Sequence, residues 1–287
     1  MIPKIPFGAI SDEFSPNLEI ALAAMKAIGM TNAELRVVDG KNIIALTDDE
    51  VKRAADLVHE AGMDIISLSS PVLKCVLPGG PDVDTRFQQD VFNAVYSYDD
   101  QDRLFDRAVA IAKMTGARII RVFSYWRTVD PQKTYDAVAK HLLKLAGVAA
   151  KENLTVGLEN EHACNVATSE EAARMLALAD RPNIKLVWDP ANALCAGEAC
   201  PYPEGYRRLP AGRIGHVHAK DCHMEGHKPV WGPLGTRHID WKGQIQALKD
   251  DGYTGAVNLE THWPGPDGDK MRASTICGWN LRGLASL

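Results

Sequence analysis

Short apolar runs alternate with amphipathic stretches along the whole chain. The runs fall at 7–10, 32–38, 64–69, 118–123, 154–158, 184–188, 214–219 and 256–259. The stretches between them carry helix punctuation. Segment 16–28 has helical periodicity and stops at Gly29, a residue that accepts the left-handed backbone of a C-terminal cap. Thr47 opens TDDEVKRAADLVHEAG, where its hydroxyl suits the free amides of the first turn and Asp48, Asp49 and Glu50 suit the positive end of the helix dipole. That helix ends at Gly62. Further helices are expected over 101–115, from Asp130 with Pro131 in its first turn to about Lys151, from a cap at Thr168 or Ser169, over 240–250 ending at Gly252, and over 270–284.

Eight strand-like runs separated by helices or helix-sized segments predict parallel strands joined by crossover helices. In a chain of 287 residues this points to an α/β fold, a single-domain (β/α)8 TIM barrel spanning 1–287. A doubly wound sheet is the alternative, and it usually has a glycine-rich phosphate turn after the first strand. Here that turn reads SDEFSP, with neither GxGxxG nor GxxxxGK[ST]. The spacing is uneven once. About 50 residues separate the starts of the third and fourth runs, and the excess lies at about 71–100. Following a strand of a barrel, this insertion falls on the catalytic face, so a lid is expected, with a hairpin or short helix that only covers the mouth as the plainer reading. The chain has no internal repeat, low-complexity tract or linker.

Composition narrows the function. Hydrophobic residues make up 46% and charged residues 24%, ordinary for a globular protein. Lys and Arg number 32 against 37 Asp and Glu, a net charge of -5, which lacks the basic footprint of a nucleic-acid binder. Six cysteines form no CxxC pair and read as reduced thiols. The start MIPKIPFGAI is no convincing signal peptide, and no apolar stretch approaches the roughly 18 residues that span a bilayer. The expectation is a cytoplasmic protein with no membrane and no nucleic-acid partner.

Barrel active sites stand at the C-terminal ends of the strands. The fifth run ends in GLENEH with Glu159 at its tip, and the sixth in VWDPAN with Asp189 there. The seventh reads GHVHAKD, with His216 and His218 on one side and His218 nearer the tip. The eighth ends in NLETHW, with Glu260 at the tip. Alone, a carboxylate ending a strand is more often a helix cap or a solvated rim residue, Asp189 before Pro190 suits a plain turn, and His218 suits a hydrogen-bonded structural role. Together they place three carboxylates and an imidazole on one rim, where a divalent cation such as Mn²⁺, Mg²⁺, Co²⁺ or Zn²⁺ would cancel their repulsion.

These motifs, with LENEH at 158–162, WDPAN at 188–192, HVHAKD at 216–221, GPLGTRHIDW at 232–241 and NLET at 258–261, resemble the xylose isomerase-like TIM-barrel superfamily, the sugar phosphate isomerases and epimerases together with AP endonuclease family 2. The resemblance covers nearly the whole chain. It implies one divalent metal, Mn²⁺ first among the candidates, held by Glu159, Asp189, His218 and Glu260. It also implies a small carbohydrate substrate and a homodimer or homotetramer. The metal acidifies the C–H between adjacent substrate oxygens, and Glu159 and Glu260 are the catalytic acid/base pair. Proton return on the opposite face gives an epimer, return to the neighbouring carbon an isomer, and loss of a β-hydroxyl a dehydratase. The motifs do not choose among these.

Supporting roles are expected for five residues. His162 suits a substrate oxygen or Glu159. Lys220 suits enediolate charge, or a pair with Asp221. Trp126 suits stacking on a sugar, or core packing. Glu34, with Arg36 nearby, suits a hydroxyl or an ion pair. Arg237, beside His238, suits an oxyanion. An isomerase or epimerase is the leading reading, and a metal-dependent lyase of the inosose or dehydroshikimate type is the main alternative. A non-catalytic subunit would be expected to lose a ligand, and all four are present. The nuclease branch needs histidines that this chain lacks, and Asn192 stands where its DxxH pair requires one.

Overall fold

A computed structural model describes residues 5–87 and 95–287. Eight parallel strands close into a barrel: β1 (Phe7–Ile10), β2 (Asn32–Leu35), β3 (Asp64–Leu68), β4 (Ile119–Val122), β5 (Thr155–Glu159), β6 (Ile184–Trp188), β7 (Ile214–Ala219) and β8 (Val257–Leu259). Each strand pairs with its neighbours in sequence. Closure comes from β1 on β8, in the register Phe7 to Val257 and Ala9 to Leu259. The helices are α1 (Leu18–Ile28), α2 (Asp48–Glu60), α3 (Gln101–Thr115), α4 (Tyr135–Ala150), α5 (Ser169–Leu178), the short α6 (Pro190–Cys195), α7 (Trp241–Asp250) and α8 (Lys270–Ala285). This is the expected single-domain (β/α)8 architecture. No helix among the described residues is long and apolar enough to cross a membrane.

Local chemistry explains most boundaries. Gly29 takes φ 86°, a left-handed cap that few other residues adopt at low cost, and closes α1. Thr47 and Glu50 form a reciprocal capping box on α2, and Thr168 with Glu171 does the same on α5. Asp240 caps α7 through Gly243. Asp130 departs from expectation. Its carboxylate pairs with Lys133 at 3.0 Å instead of capping, and Pro131–Thr134 forms a 3-10 turn before α4 begins at Tyr135.

The second apolar run is also divided. The barrel strand stops at Leu35, and Val37–Val38 folds back antiparallel on Lys41–Asn42. Arg36 is the break, because its side chain turns inward to carboxylates that follow β1 and β8. A second antiparallel hairpin, Asp221–Glu225 with Lys228–Gly232, follows β7 and has no counterpart among the sequence expectations. Within the 71–100 insertion, residues 88–94 lie outside the described residues. Of the rest, Val83 bridges Thr128, and Tyr98–Asp100 forms a 3-10 turn into α3.

Candidate active site and metal centre

The four rim residues converge because each occupies the same height of the barrel. Glu159 is the last residue of β5, His218 the last but one of β7, and Asp189 and Glu260 directly follow β6 and β8. One ligand-type atom from each lies within 4.8 Å of the others, and all four residues are buried. Asp189 serves two roles. One oxygen caps α6 by accepting from the Asn192 amide at 2.9 Å, which leaves the other for the site.

His218 is gripped from behind. Its Nε2–H donates to Glu34 at 3.1 Å, and Nδ1 lies 3.1 Å from Glu159 and 3.7 Å from Glu260. Glu34 also accepts from His216 Nε2 at 2.9 Å and from the Ser69 hydroxyl at 2.6 Å. Burial alone would raise the Glu34 carboxyl, but His218 and His216 outweigh it and hold the group well below its ordinary range. Glu34, His216 and His218 form a second cluster of metal-ligand types. Both imidazoles turn Nε2 to the same Glu34 oxygen, so the cluster reads as the support of His218 rather than as a separate ion site.

Buried cations offset part of the negative charge. Lys220 Nζ lies 2.6 Å from Glu260 and 2.8 Å from Asp189. Arg36 reaches the other Glu260 oxygen at 3.1 Å while pairing with Asp12 at 2.7 Å. Arg121 stands 3.2 Å from Glu159. Burial pulls the Lys220 amine down, but Asp189 and Glu260 more than reverse this. Burial raises Glu260, but Lys220 and His218 bring it well below its usual range. Asp189 is not fully compensated, and burial pushes it up to about 6. One oxygen of Asp189 and one of Glu159 are buried without a hydrogen bond, although cations stand at pairing distance. Three buried carboxylates and an imidazole within reach of one point fit a divalent cation.

The cluster opens through Glu260 into a cavity of about 900 Å³. Its wall includes His162, Glu161, His262, Trp231, Lys74 and Phe87. Lys74 and Phe87, with Arg86, come from the 71–100 insertion, so its described part borders the mouth. Of the five expected supporting residues, only His162 lines the cavity. Lys220 sits beneath it, among the carboxylates. Glu34 lies deeper, behind His218. Trp126 is 5% exposed and packs with Phe123, Ala163 and Cys164. The Arg237 side chain is exposed on the loop before α7, outside the cavity wall.

Among the wall residues not expected from the sequence, Glu161 and His262 carried a usable signal. Side chains on extended backbone return to the same side every two residues, so Glu161 and His262 follow Glu159 and Glu260 into the site. Trp231 comes from the unforeseen hairpin and lies 4.6 Å, ring to ring, from His262. Burial raises the Glu161 carboxyl, but His162 and Lys74 hold it near about 2. Burial, with Lys220 beside it, lowers His262 to about 3, so it is neutral.

Comparison with known proteins agrees with this architecture. No curated protein matches the chain by sequence. Among solved structures, the IolI protein with a bound zinc atom superposes with a TM-score of 0.74 at 18% identity, covering 98% of each chain. D-allulose 3-epimerase from Methylomonas sp. gives 0.68 at 20% identity, over 99% of this chain and 97% of that one. The probable 3-DHS dehydratase AsbF from Bacillus anthracis gives 0.69 at 15% identity, over 93% and 97%. The chain spans only 42% of a longer protein that joins a xylose isomerase-like TIM barrel to a 4-hydroxyphenylpyruvate dioxygenase. At these identities the likeness is one of fold. The sequence pattern of the xylose isomerase-like TIM barrel matches residues 22–276, nearly the whole of the barrel described above, and the chain belongs to that family.

Proposed function

We propose that the protein is a divalent-metal-dependent isomerase or epimerase acting through an enediolate on a polyhydroxy carbonyl compound. The carrying observation is the convergence of Glu159, Asp189, His218 and Glu260 beside an open cavity that Glu260 lines. These four would hold the ion, with Mn²⁺ the first candidate. When bound, such an ion draws charge from adjacent carbonyl and hydroxyl oxygens of a substrate and acidifies the C–H between them.

The chain's own residues supply the rest. Glu159 and Glu260 are the proton-transfer pair, standing on β5 and after β8. Arg36 and Lys220 hold Glu260 ionised and oriented, one cation on each oxygen. Trp231 and His262 offer a ring surface to the apolar face of a sugar, the role expected of Trp126. The described part of the 71–100 insertion stands where a lid would shield the intermediate from water. The likeness to a probable 3-DHS dehydratase supports a lyase as the second reading on the same site.

The test is a panel of aldoses and ketoses incubated with Mn²⁺ and the protein in deuterated water. Deuterium is expected next to the carbonyl with wild type and not with Glu260→Gln. Absence of exchange from every sugar, in protein that has bound metal, would overturn the proposal.

A further inference from the structure

The inference rests on the enediolate reading above and concerns a proton which that reading leaves unassigned. In aldose–ketose isomerisation a carboxylate carries the C–H proton from one carbon to the next. A second proton must leave the hydroxyl that becomes the carbonyl and reach the carbonyl oxygen that becomes the hydroxyl. Epimerisation does not require this second transfer.

Asn192 determines which residue is ready for it. The side chain is wholly buried, and its amide nitrogen faces two carboxylates, Glu159 at 3.4 Å and Glu161 at 3.3 Å. Turning the amide over would set its carbonyl oxygen against both carboxylates, so the orientation is fixed. The Asn192 carbonyl oxygen therefore faces His162 Nδ1, at 3.0 Å, and a Glu161 oxygen stands 3.0 Å from the same nitrogen. Both neighbours only accept, so Nδ1 carries the proton and donates it. In the neutral imidazole the lone pair is therefore on Nε2. It makes no hydrogen bond to the described residues, and the His162 side chain is on the cavity wall with 20% of its surface exposed.

We propose that His162 is a catalytic residue that carries the hydroxyl proton between the two substrate oxygens, and that Asn192 is the positioning residue that holds it in the Nδ1–H form. The O–H bond of the substrate hydroxyl breaks as the Nε2–H bond forms, and that carbon becomes the new carbonyl. The same proton then passes from Nε2 to the former carbonyl oxygen. Together with the carboxylate-borne C–H proton, the two transfers balance without any oxidant or co-reactant. The geometry thus favours isomerisation over epimerisation.

The experiment follows a panel of aldoses and ketoses with Mn²⁺ in deuterated water, reading solvent exchange at carbon separately from product. Wild type is expected to form an isomer. His162→Gln is expected to lose isomer formation by about 10²–10⁴-fold, the usual worth of a positioned proton transfer, with exchange at carbon within about tenfold of wild type. Added imidazole should restore product formation to His162→Ala, which covers the case of a poorly folded glutamine variant. NMR of the metal-free protein labelled with ¹⁵N-histidine should show His162 as the Nδ1–H tautomer, a readout independent of turnover. An Nε2–H tautomer, an epimer as the sole product, or equal losses of exchange and product in both variants would overturn the assignment of His162 and leave the enediolate reading standing. No exchange by wild type would instead remove that reading, and this inference with it.

Discussion

The Nε2–H of His218 donates to the carboxylate of Glu34 across 3.1 Å, although the two residues are 184 positions apart in the chain. Glu34 binds His216 on the same oxygen, so one carboxylate orients both imidazoles and leaves His218 Nδ1 for the carboxylate cluster. Partners of this kind typically change metal affinity by about 10–100-fold. Glu34→Gln is therefore expected to weaken Mn²⁺ binding by that range in calorimetric titration, with the barrel still folded by circular dichroism. Unchanged affinity would show that Glu34 has no hold on the metal centre.

Metal binding should also be visible as stability. A ligand that binds only the folded state adds about 2.7 kcal/mol when present at 100 times its dissociation constant. Thermal unfolding of the chelator-treated protein is expected to shift upward on adding Mn²⁺, with one ion per chain by elemental analysis. The shift should vanish in a His218→Ala, Glu260→Ala double variant, because two of the four ligand groups are gone. Retained stoichiometry in that variant would place the ion elsewhere.

Glu159→Gln and Glu260→Gln each keep a carbonyl oxygen for the metal and remove a proton acceptor. Turnover should fall by about 10²–10⁴-fold in each, and metal binding by much less. Measuring both constants for both variants checks the claim. Near-wild-type turnover in the pair, with metal bound, would move the base to another residue.

The two tryptophans should separate cleanly. Trp126 is nearly enclosed by Phe123, Ala163 and Cys164, whereas Trp231 is half-buried on the cavity wall. Trp126→Ala should cost about 3–5 kcal/mol of stability, as large core deletions do. Trp231→Ala should leave the denaturant midpoint close to wild type and raise KM. Reversed outcomes would mean that Trp126 meets the substrate and Trp231 only packs.

Acid sensitivity has a local source remote from the four rim residues. His141 donates through Nε2–H to Asp102 at 3.2 Å and accepts the Tyr125 hydroxyl at Nδ1, 2.5 Å away, with Tyr98 packed edge-on against it. Burial lowers the imidazole pKa below its ordinary 6.5, the Lys144 amine acts in the same direction, and Asp102 reverses this only in part. The folded state therefore binds this proton less readily than the unfolded chain. The contribution to stability is intact above the unfolded value of 6.5 and is lost as pH falls below it. Denaturant unfolding of His141→Gln at a series of pH values should show a shallower decline than wild type below that point. Parallel declines in the two proteins would assign the acid sensitivity to other groups.

Much of this molecule was legible before folding was considered. The alternation of apolar runs with helical periodicity gave the eight β/α units, and Gly29, Thr47 and Thr168 marked helix ends where they occur. These signals are short-range. A cap involves residues three apart, and periodicity reports which side of one element is dry. Glu159, Asp189, His218 and Glu260 were legible for a related reason, since each sits at the end of its own strand and the barrel gathers strand ends on one rim. The same local logic failed at Asp130, where a nearby lysine took the carboxylate, and at 36–42, where Arg36 interrupts an apolar run.

Tertiary structure alone decided what those side chains touch. Arg36 and Glu260 are 224 residues apart and meet at 3.1 Å because β1, beside β2, closes the barrel on β8. That contact makes Arg36 a support of Glu260, and barrel closure likewise places Glu34 behind His218. Asn192 and Glu159 come together because β5 and β6 are parallel neighbours in register. Periodicity could place Trp126 after a strand and Trp231 in a loop, but only packing chose which would be enclosed. Strand pairing sets side-chain neighbours through hydrogen-bond register between distant segments. That register is a property of the closed sheet, and no window of the chain short enough to show a helix or a strand contains it.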